Sequence, residues 1–237
     1  MVYDGEKIVS LVIGANICMF ILSLLIDLRP NSLNFSPLQF LSPSNQSLLV
    51  LGSTGTVPVF QFHRWWSLLA ANFLHGGLLH ILFNMLALRQ LAPMAVEVYG
   101  ASRMFLVFTI GGIAGFMVST LAGVQFTIGA SAAVCSLIGS LLYYGKSRGG
   151  VYGQAIFSQL GGWALGIALF GFMVPGINNW GHGGGMAAGA LFGFLLGYKE
   201  RRRETFGHRI GAIACLGACG LVLLWSIFNG ALYLLVR

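Results

Sequence analysis

The chain is predicted to be an all-α polytopic membrane protein, and three observations carry that prediction. Of its 237 residues, 57% are hydrophobic and 8% charged, too little polar surface to cover a water-facing globule of this size. Apolar runs long enough to cross about 30 Å of hydrocarbon recur along the chain, separated by connections. The Lys and Arg residues behind the formal net charge of +7 fall in those connections, where they set orientation. They form no patch suited to nucleic acid, so the lipid bilayer is the expected surrounding and nucleic acid is no partner. Cys18, Cys135, Cys215 and Cys219 lie within apolar runs without ligand spacing and read as small buried hydrophobes.

The elements follow in order. Ile8 to Ile26 is uncharged and follows Asp4, Glu6 and Lys7, not a basic n-region. Its length and the missing cleavage site predict a signal anchor. Arg29-Pro30 ends it, and residues 29–76 form a long loop. Within that loop Ser42-Pro43 reads as the cap and first turn of a short helix through Leu51, closed by Gly52. Phe35, Phe40, Phe60, Phe62, Trp65 and Trp66 keep no helical or strand period, which predicts a loop lying on or partly in the outer leaflet. Further spans are predicted over Gly77–Val98, Ala101–Ala122, Ser131–Gly145, Gln154–Val174, Asn179–Tyr198 and Ile210–Val236. Gly111, Gly115, Ser119 and Gly123 on the third span, and Gly185, Gly189, Gly193 and Gly197 on the sixth, recur every four residues and permit close helix approach.

Orientation comes from the connections. Lys7, Arg89, Arg103, Lys146, Arg148, Lys199, Arg201, Arg202, Arg203 and Arg209 fall on the side of the N-terminus, and Arg29, Arg64 and Arg237 opposite. A cytoplasmic N-terminus and an outer C-terminus are expected. The expected location is a bacterial inner (plasma) membrane.

That topology makes three polar side chains converge. From Ser131 to Lys146 the fourth helix is roughly 22 Å long at about 1.5 Å per residue, shorter than the hydrocarbon core. Ser131 therefore lies below the membrane surface, in protein or in a water-filled cavity. His182 stands at a similar height on the sixth helix, whose glycine stripe faces Ala132, Ser136 and Gly139 or Ser140 of the fourth. A hydroxyl and an imidazole within hydrogen-bond reach are the minimum for nucleophilic acyl transfer. His80 and Asn84, four residues apart on one face of the second span, add side-chain donors for a developing oxyanion, as does the backbone N–H of Ser131. No Asp or Glu lies in the outer halves of these helices to orient His182, so a Ser-His dyad is expected, not a triad.

At these residues the chain resembles the rhomboid family of intramembrane serine proteases. Gly129-Ala-Ser131 matches its Gly-x-Ser pattern, His75 to Asn84 reads His-x4-His-x3-Asn, Glu97 closes the second helix, and Asn179 to Gly189 is the His-bearing, glycine-spaced sixth. The resemblance spans residues 8–198. It implies a six-helix rhomboid-like core over 1–200 and an added basic connector and seventh transmembrane helix over 201–237. It also implies Ser131 as nucleophile, His182 as general base and acid, and His80 and Asn84 at the oxyanion. Substrates would be transmembrane or juxtamembrane segments of other membrane proteins, entering between the second and fifth helices and cut at small residues, with no cofactor. The family usually has Gly after the serine and an aromatic residue four positions on. Ala132 and Cys135 stand here, so ring packing on His182 is expected from Trp180 or Phe126. Where the family often reads Trp-Arg, this chain has Trp66-Ser67 with Arg64 nearby.

Other readings stay open. Ser131 can bond back to its own helix, and His182 can bridge helices. His80 and Asn84 can form a packing bond or, with His75, part of a metal site, although no carboxylate or cysteine completes a ligand set. His75 alone reads as a surface residue, and His63 and His208 as solvated. The Lys199–Arg203 run reads as an orientation signal touching anionic lipid. A catalytically silent relative that binds transmembrane helices is the main alternative. A solute channel fits less well, because the inner halves of the second, fourth and sixth helices carry no polar column.

Overall fold

In a computed structural model of the chain, residues 2–26 and 40–236 are described. Arg29-Pro30, Phe35 and Arg237 lie outside them. Nine α-helices are found among the described residues: α1 (Val2–Ile26), α2 (Asn45–Leu51), α3 (Ser67–Ala70), α4 (Leu78–Tyr99), α5 (Ala101–Leu121), α6 (Ser131–Arg148), α7 (Gly150–Met173), α8 (Asn179–Leu196) and α9 (Phe206–Val236). Among the described residues the β-structure is one antiparallel bridge between Thr54 and Thr127. Among the described residues five helices are long and apolar enough to cross a membrane: Gly5–Ile26 of α1, α4, α5, α7 and α9. The protein is thus an all-α, multi-pass membrane protein. The remaining two predicted spans, α6 and α8, have 18 residues each.

Helix α6 is the axis of the bundle, packed on α4, α5, α7 and α8. Every residue from Ala132 to Leu141 is buried, an apolar all-round helix of the kind that only a protein interior accepts. It is held by close approach instead of bulky packing. A Cβ added to Gly185 would strike the carbonyl of Ala132, one on Gly189 the carbonyl of Ser136, and one on Gly139 the carbonyl of Met186. On the other side a Cβ on Gly111 would strike the Ser136 side chain, and one on Gly115 would lie 2.6 Å from the Gly181 carbonyl. Both expected stripes are therefore contact surfaces, except at their ends. Gly123 faces open space with φ +90°, and Gly197 caps α8 with φ +69°. Hydrogen bonds lock the same seams, from Ser136 Oγ to the Val107 carbonyl at 2.8 Å and from Tyr99 Oη to the Ser140 carbonyl at 2.6 Å.

Two expectations about local structure are corrected. The cap of α2 is Ser44, not Ser42: its Oγ accepts the Ser47 N–H at 3.0 Å, while Gly52 closes the helix with φ +108° as expected. Serine at either position can cap, and the hydrogen bond selects the one whose following residues complete a turn. Of the cysteines, Cys135 and Cys219 are buried, but Cys215 is half-buried and Cys18 exposed on the outer face of α1.

Beyond α2 the loop folds over the bundle through a π-helical turn (Val57–Gln61), α3 and a 3-10 turn (Ala71–Phe73). It exposes Phe60, Phe62 and Trp65 and tucks Arg64 back onto the Leu49 carbonyl at 3.0 Å. Arg64 thus ties the loop to α2. The far end of the bundle is closed by Arg103, which was expected among the orientation charges of the connections. It is fully buried, donating to the Tyr99, Gly197 and Arg202 carbonyls, the last two at 2.6 and 3.0 Å. Burial is tolerated because the guanidinium gathers carbonyls left unpaired at the ends of α4 and α8 and in the connector beyond α8.

Gly189→Ala should lower thermal stability in detergent, by about 1–3 kcal/mol as overpacking costs, because its new methyl meets a backbone carbonyl. Gly166→Ala, with nothing within 4 Å, should leave the melting temperature unchanged or slightly raised.

Candidate active site

The site is built where the loop, the α5–α6 connection and the start of α8 meet. The connection runs extended beside the loop. Thr54 and Thr127 exchange N–H···O bonds of 3.0 and 2.7 Å, and the Thr56 N–H reaches the Val124 carbonyl at 2.8 Å. Ser67 Oγ donates to Thr54 Oγ1 at 3.0 Å, so the bridge is anchored in α3 as well. Gly129 then turns the chain with φ +123°, a conformation that glycine reaches without strain. Its N–H is held by the Ala71 carbonyl at 2.9 Å. Ser131 follows as the first residue of α6.

Ser131 Oγ lies 2.8 Å from His182 Nε2. His182 sits in the first turn of α8, whose N-cap is Asn178. The Asn178 side chain accepts the Gly181 N–H at 2.8 Å and donates to Ser119 Oγ at 2.9 Å and Thr127 Oγ1 at 2.8 Å. One amide therefore joins the start of α8 to the end of α5 and to the connection that carries Ser131. Sequence reasoning passed over Asn178, although an Asn directly before a helix is a recognisable cap signal. His182 Nδ1 is buried without a protein partner, so no carboxylate orients the ring. With Nε2 accepting from the hydroxyl, the ring proton is assigned to Nδ1. Neither Trp180 nor Phe126 stacks on His182; their side chains are 61% and 52% exposed. The ring is positioned by its helix and its serine instead.

His80 is oriented from the other side. Its Nδ1 accepts the Gly76 N–H at 3.2 Å, which puts the ring proton on Nε2. A Cβ on Gly129 would stand 2.7 Å from that Nε2 and 3.7 Å from Ser131 Oγ. The space that a Gly129 side chain would fill is thus bordered by both His80 Nε2 and the serine hydroxyl. Asn84 is buried one turn further along α4 and donates from Nδ2 to the His80 carbonyl at 2.8 Å, which leaves its second amide N–H. The structure therefore gathers Ser131, His182 and His80, with Asn84 bonded back to the His80 turn.

His75 is not the surface residue expected. It is fully buried, its ring meeting that of His80 edge-on at 5.0 Å. It lies in the loop before α4, where burial pulls its pKa well below the ordinary value and the neighbouring His80 adds to the shift. It is held neutral against the back of His80. Among the described residues no group of three or more His, Cys, Asp or Glu is placed to hold a metal ion.

A multi-pass helical membrane protein with a serine and a histidine paired at the mouth of a short buried helix is the class that fold and site define. A profile of the Rhomboid domain matches residues 63–199. The chain is 32% identical over 158 residues to RHOMBOID-like protein 4 of Arabidopsis thaliana, covering 66% of this chain and 40% of that protein. It is 30% identical over 200 residues to Rhomboid protease GluP of Bacillus subtilis (strain 168), covering 84% of this chain and 36% of that one. With the putative rhomboid protease YdcA of the same bacterium it shares 31% over 144 residues, 59% of this chain and 71% of the relative. The chain belongs to the rhomboid family. It spans less than two thirds of the length of the first two relatives, and membership makes it an intramembrane protease or a rhomboid-like counterpart of one.

Asn178→Ala removes a helix cap and two further hydrogen bonds, and should cost about 1–2 kcal/mol or more of stability. Thermal unfolding in detergent checks this, and Asn178→Ser, which retains a capping oxygen, should recover part of the loss.

Proposed function

We propose that this chain is an intramembrane serine endopeptidase that hydrolyses peptide bonds in or next to transmembrane segments of other membrane proteins. The observation that carries the reading is the 2.8 Å approach of Ser131 Oγ to His182 Nε2. In this reading Ser131 Oγ attacks the scissile carbonyl carbon as its proton passes to His182 Nε2. The imidazolium returns that proton to the departing amine, leaving an acyl-serine. Water then attacks the acyl carbon, giving its proton to Nε2, and the serine leaves reprotonated. The tetrahedral oxyanion of each step takes the His80 Nε2–H, the free N–H of Asn84 and the Ser131 backbone N–H, which points out of a helix N-terminus.

Residues 1–200 form the catalytic core in this proposal, and 201–237 the connector and added helix. The end of the Rhomboid profile at residue 199 supports that division. The charge distribution supports a cytoplasmic N-terminus with the site opening on the opposite side. Entry of the substrate between α4 and α7 is supported by the loose seat of α7, which leans on α6 and shares little packing with α4 or α8.

The test is cleavage of a single-span reporter protein in proteoliposomes. Ser131→Ala and His182→Ala should each abolish cleavage, and His80→Ala should slow it by about 10²- to 10³-fold, the usual cost of one oxyanion donor. All three should melt near the wild-type temperature. Cleavage that survives in Ser131→Ala would overturn the proposal.

A further inference from the structure

Between α6, α7 and α8 lies an open groove of about 440 Å³. Its walls are apolar, with Leu142 from α6, Phe157 from α7, and Met186, Ala187 and Ala190 from α8. One end reaches Gly183, the neighbour of His182, and the other carries Lys146. The Lys146 side chain is exposed, and its ammonium lies 5.8 Å from the centre of the Phe157 ring. Among the described residues it has no carboxylate partner. The next cation along the helix, Arg148, is paired with Glu200 at 3.0 Å. An apolar slot in the membrane-embedded bundle therefore ends at one uncompensated positive charge.

The chemistry of the lining selects the occupant. Its almost wholly apolar walls suit hydrocarbon, and the lone ammonium at one end suits a single negative charge. The floor cannot open, because α6 and α8 touch backbone to backbone there, Gly139 against Met186. We propose that this groove seats an acyl chain of an anionic phospholipid, with the headgroup phosphate held by Lys146. A basic side chain at the end of an interhelical pocket is the arrangement that anionic headgroups recognise. This site is independent of the proteolytic reading, since its occupant meets neither Ser131 Oγ nor His80.

Native mass spectrometry of the full chain released from detergent, with phosphatidylglycerol and phosphatidylcholine of identical chains, tests it. Wild type should retain phosphatidylglycerol about fivefold better, the factor that one basic side chain near anionic lipid supplies. Lys146→Gln should abolish the preference while keeping phosphatidylcholine binding. Ala187→Phe, which fills the groove, should lower retention of both lipids, and Ala190→Phe serves the same purpose if that variant fails to fold. Arg89→Gln, removing an exposed cation on α4, should behave as wild type. Equal retention of the two lipids by wild type would overturn the proposal. So would retention unmoved by folded groove-filling variants, equal loss of preference in Arg89→Gln, or occupation by a second copy seen as a dimer lost in Ala187→Phe.

Discussion

The backbone contact between α6 and α8 is the constraint on which the site depends. Helices with ordinary side chains at their crossing stand 8–10 Å apart. Gly185 and Gly189 against Ala132 and Ser136 remove the side chains that would hold these two at that distance. Only then does a serine in the first turn of one helix meet a histidine in the first turn of the other at 2.8 Å. Lipid offers no hydrophobic drive for helices to associate, so close packing and hydrogen bonds must supply it. Gly111, Gly115, Ser136 Oγ and Tyr99 Oη supply both along the buried length of α6.

The ends of the bundle solve a second problem, the unpaired backbone groups at helix termini in a low-dielectric setting. At one end Asn178 caps α8 and reaches Ser119 and Thr127, so the cap also ties the helix that carries His182 to the connection that carries Ser131. At the other, Arg103 collects the carbonyls past α8 while the Glu204 carboxylate accepts the Ser102 and Arg103 N–H groups at the start of α5. The two ends therefore differ in kind. One is a polar scaffold around Ser131 and His182, and the other a charged clasp that joins the start of α5 to the end of α8.

Much of this was legible in the sequence because membrane helices state themselves by length and apolarity. The second and third spans fall within about one residue of their expected bounds, and the glycine stripes and their partners on α6 were readable from four-residue spacing. The approach of Ser131 to His182 was readable from topology, helix rise and the glycine stripe that lets α8 close on α6. What stayed hidden depends on contacts between distant segments. Arg103 looks like an orientation charge until the α8 terminus arrives to bury it. His75 looks like a surface residue until the loop folds in and brings its ring edge-on to that of His80. Ser42 and Ser44 are equivalent in composition, and only the Ser47 N–H distinguishes them. The aromatic packing expected on His182 was borrowed from a resemblance, and the exposed Trp180 and Phe126 do not provide it.

The central claim is that the Ser131 hydroxyl is an activated nucleophile because His182 accepts its proton. Covalent labelling of the detergent-purified protein with a fluorophosphonate, read by intact mass and peptide mapping, tests it most directly. The account predicts a single adduct on Ser131 that disappears in both Ser131→Ala and His182→Ala. A folded wild type that stays unlabelled, under conditions that label a known serine hydrolase of the same class, would contradict it.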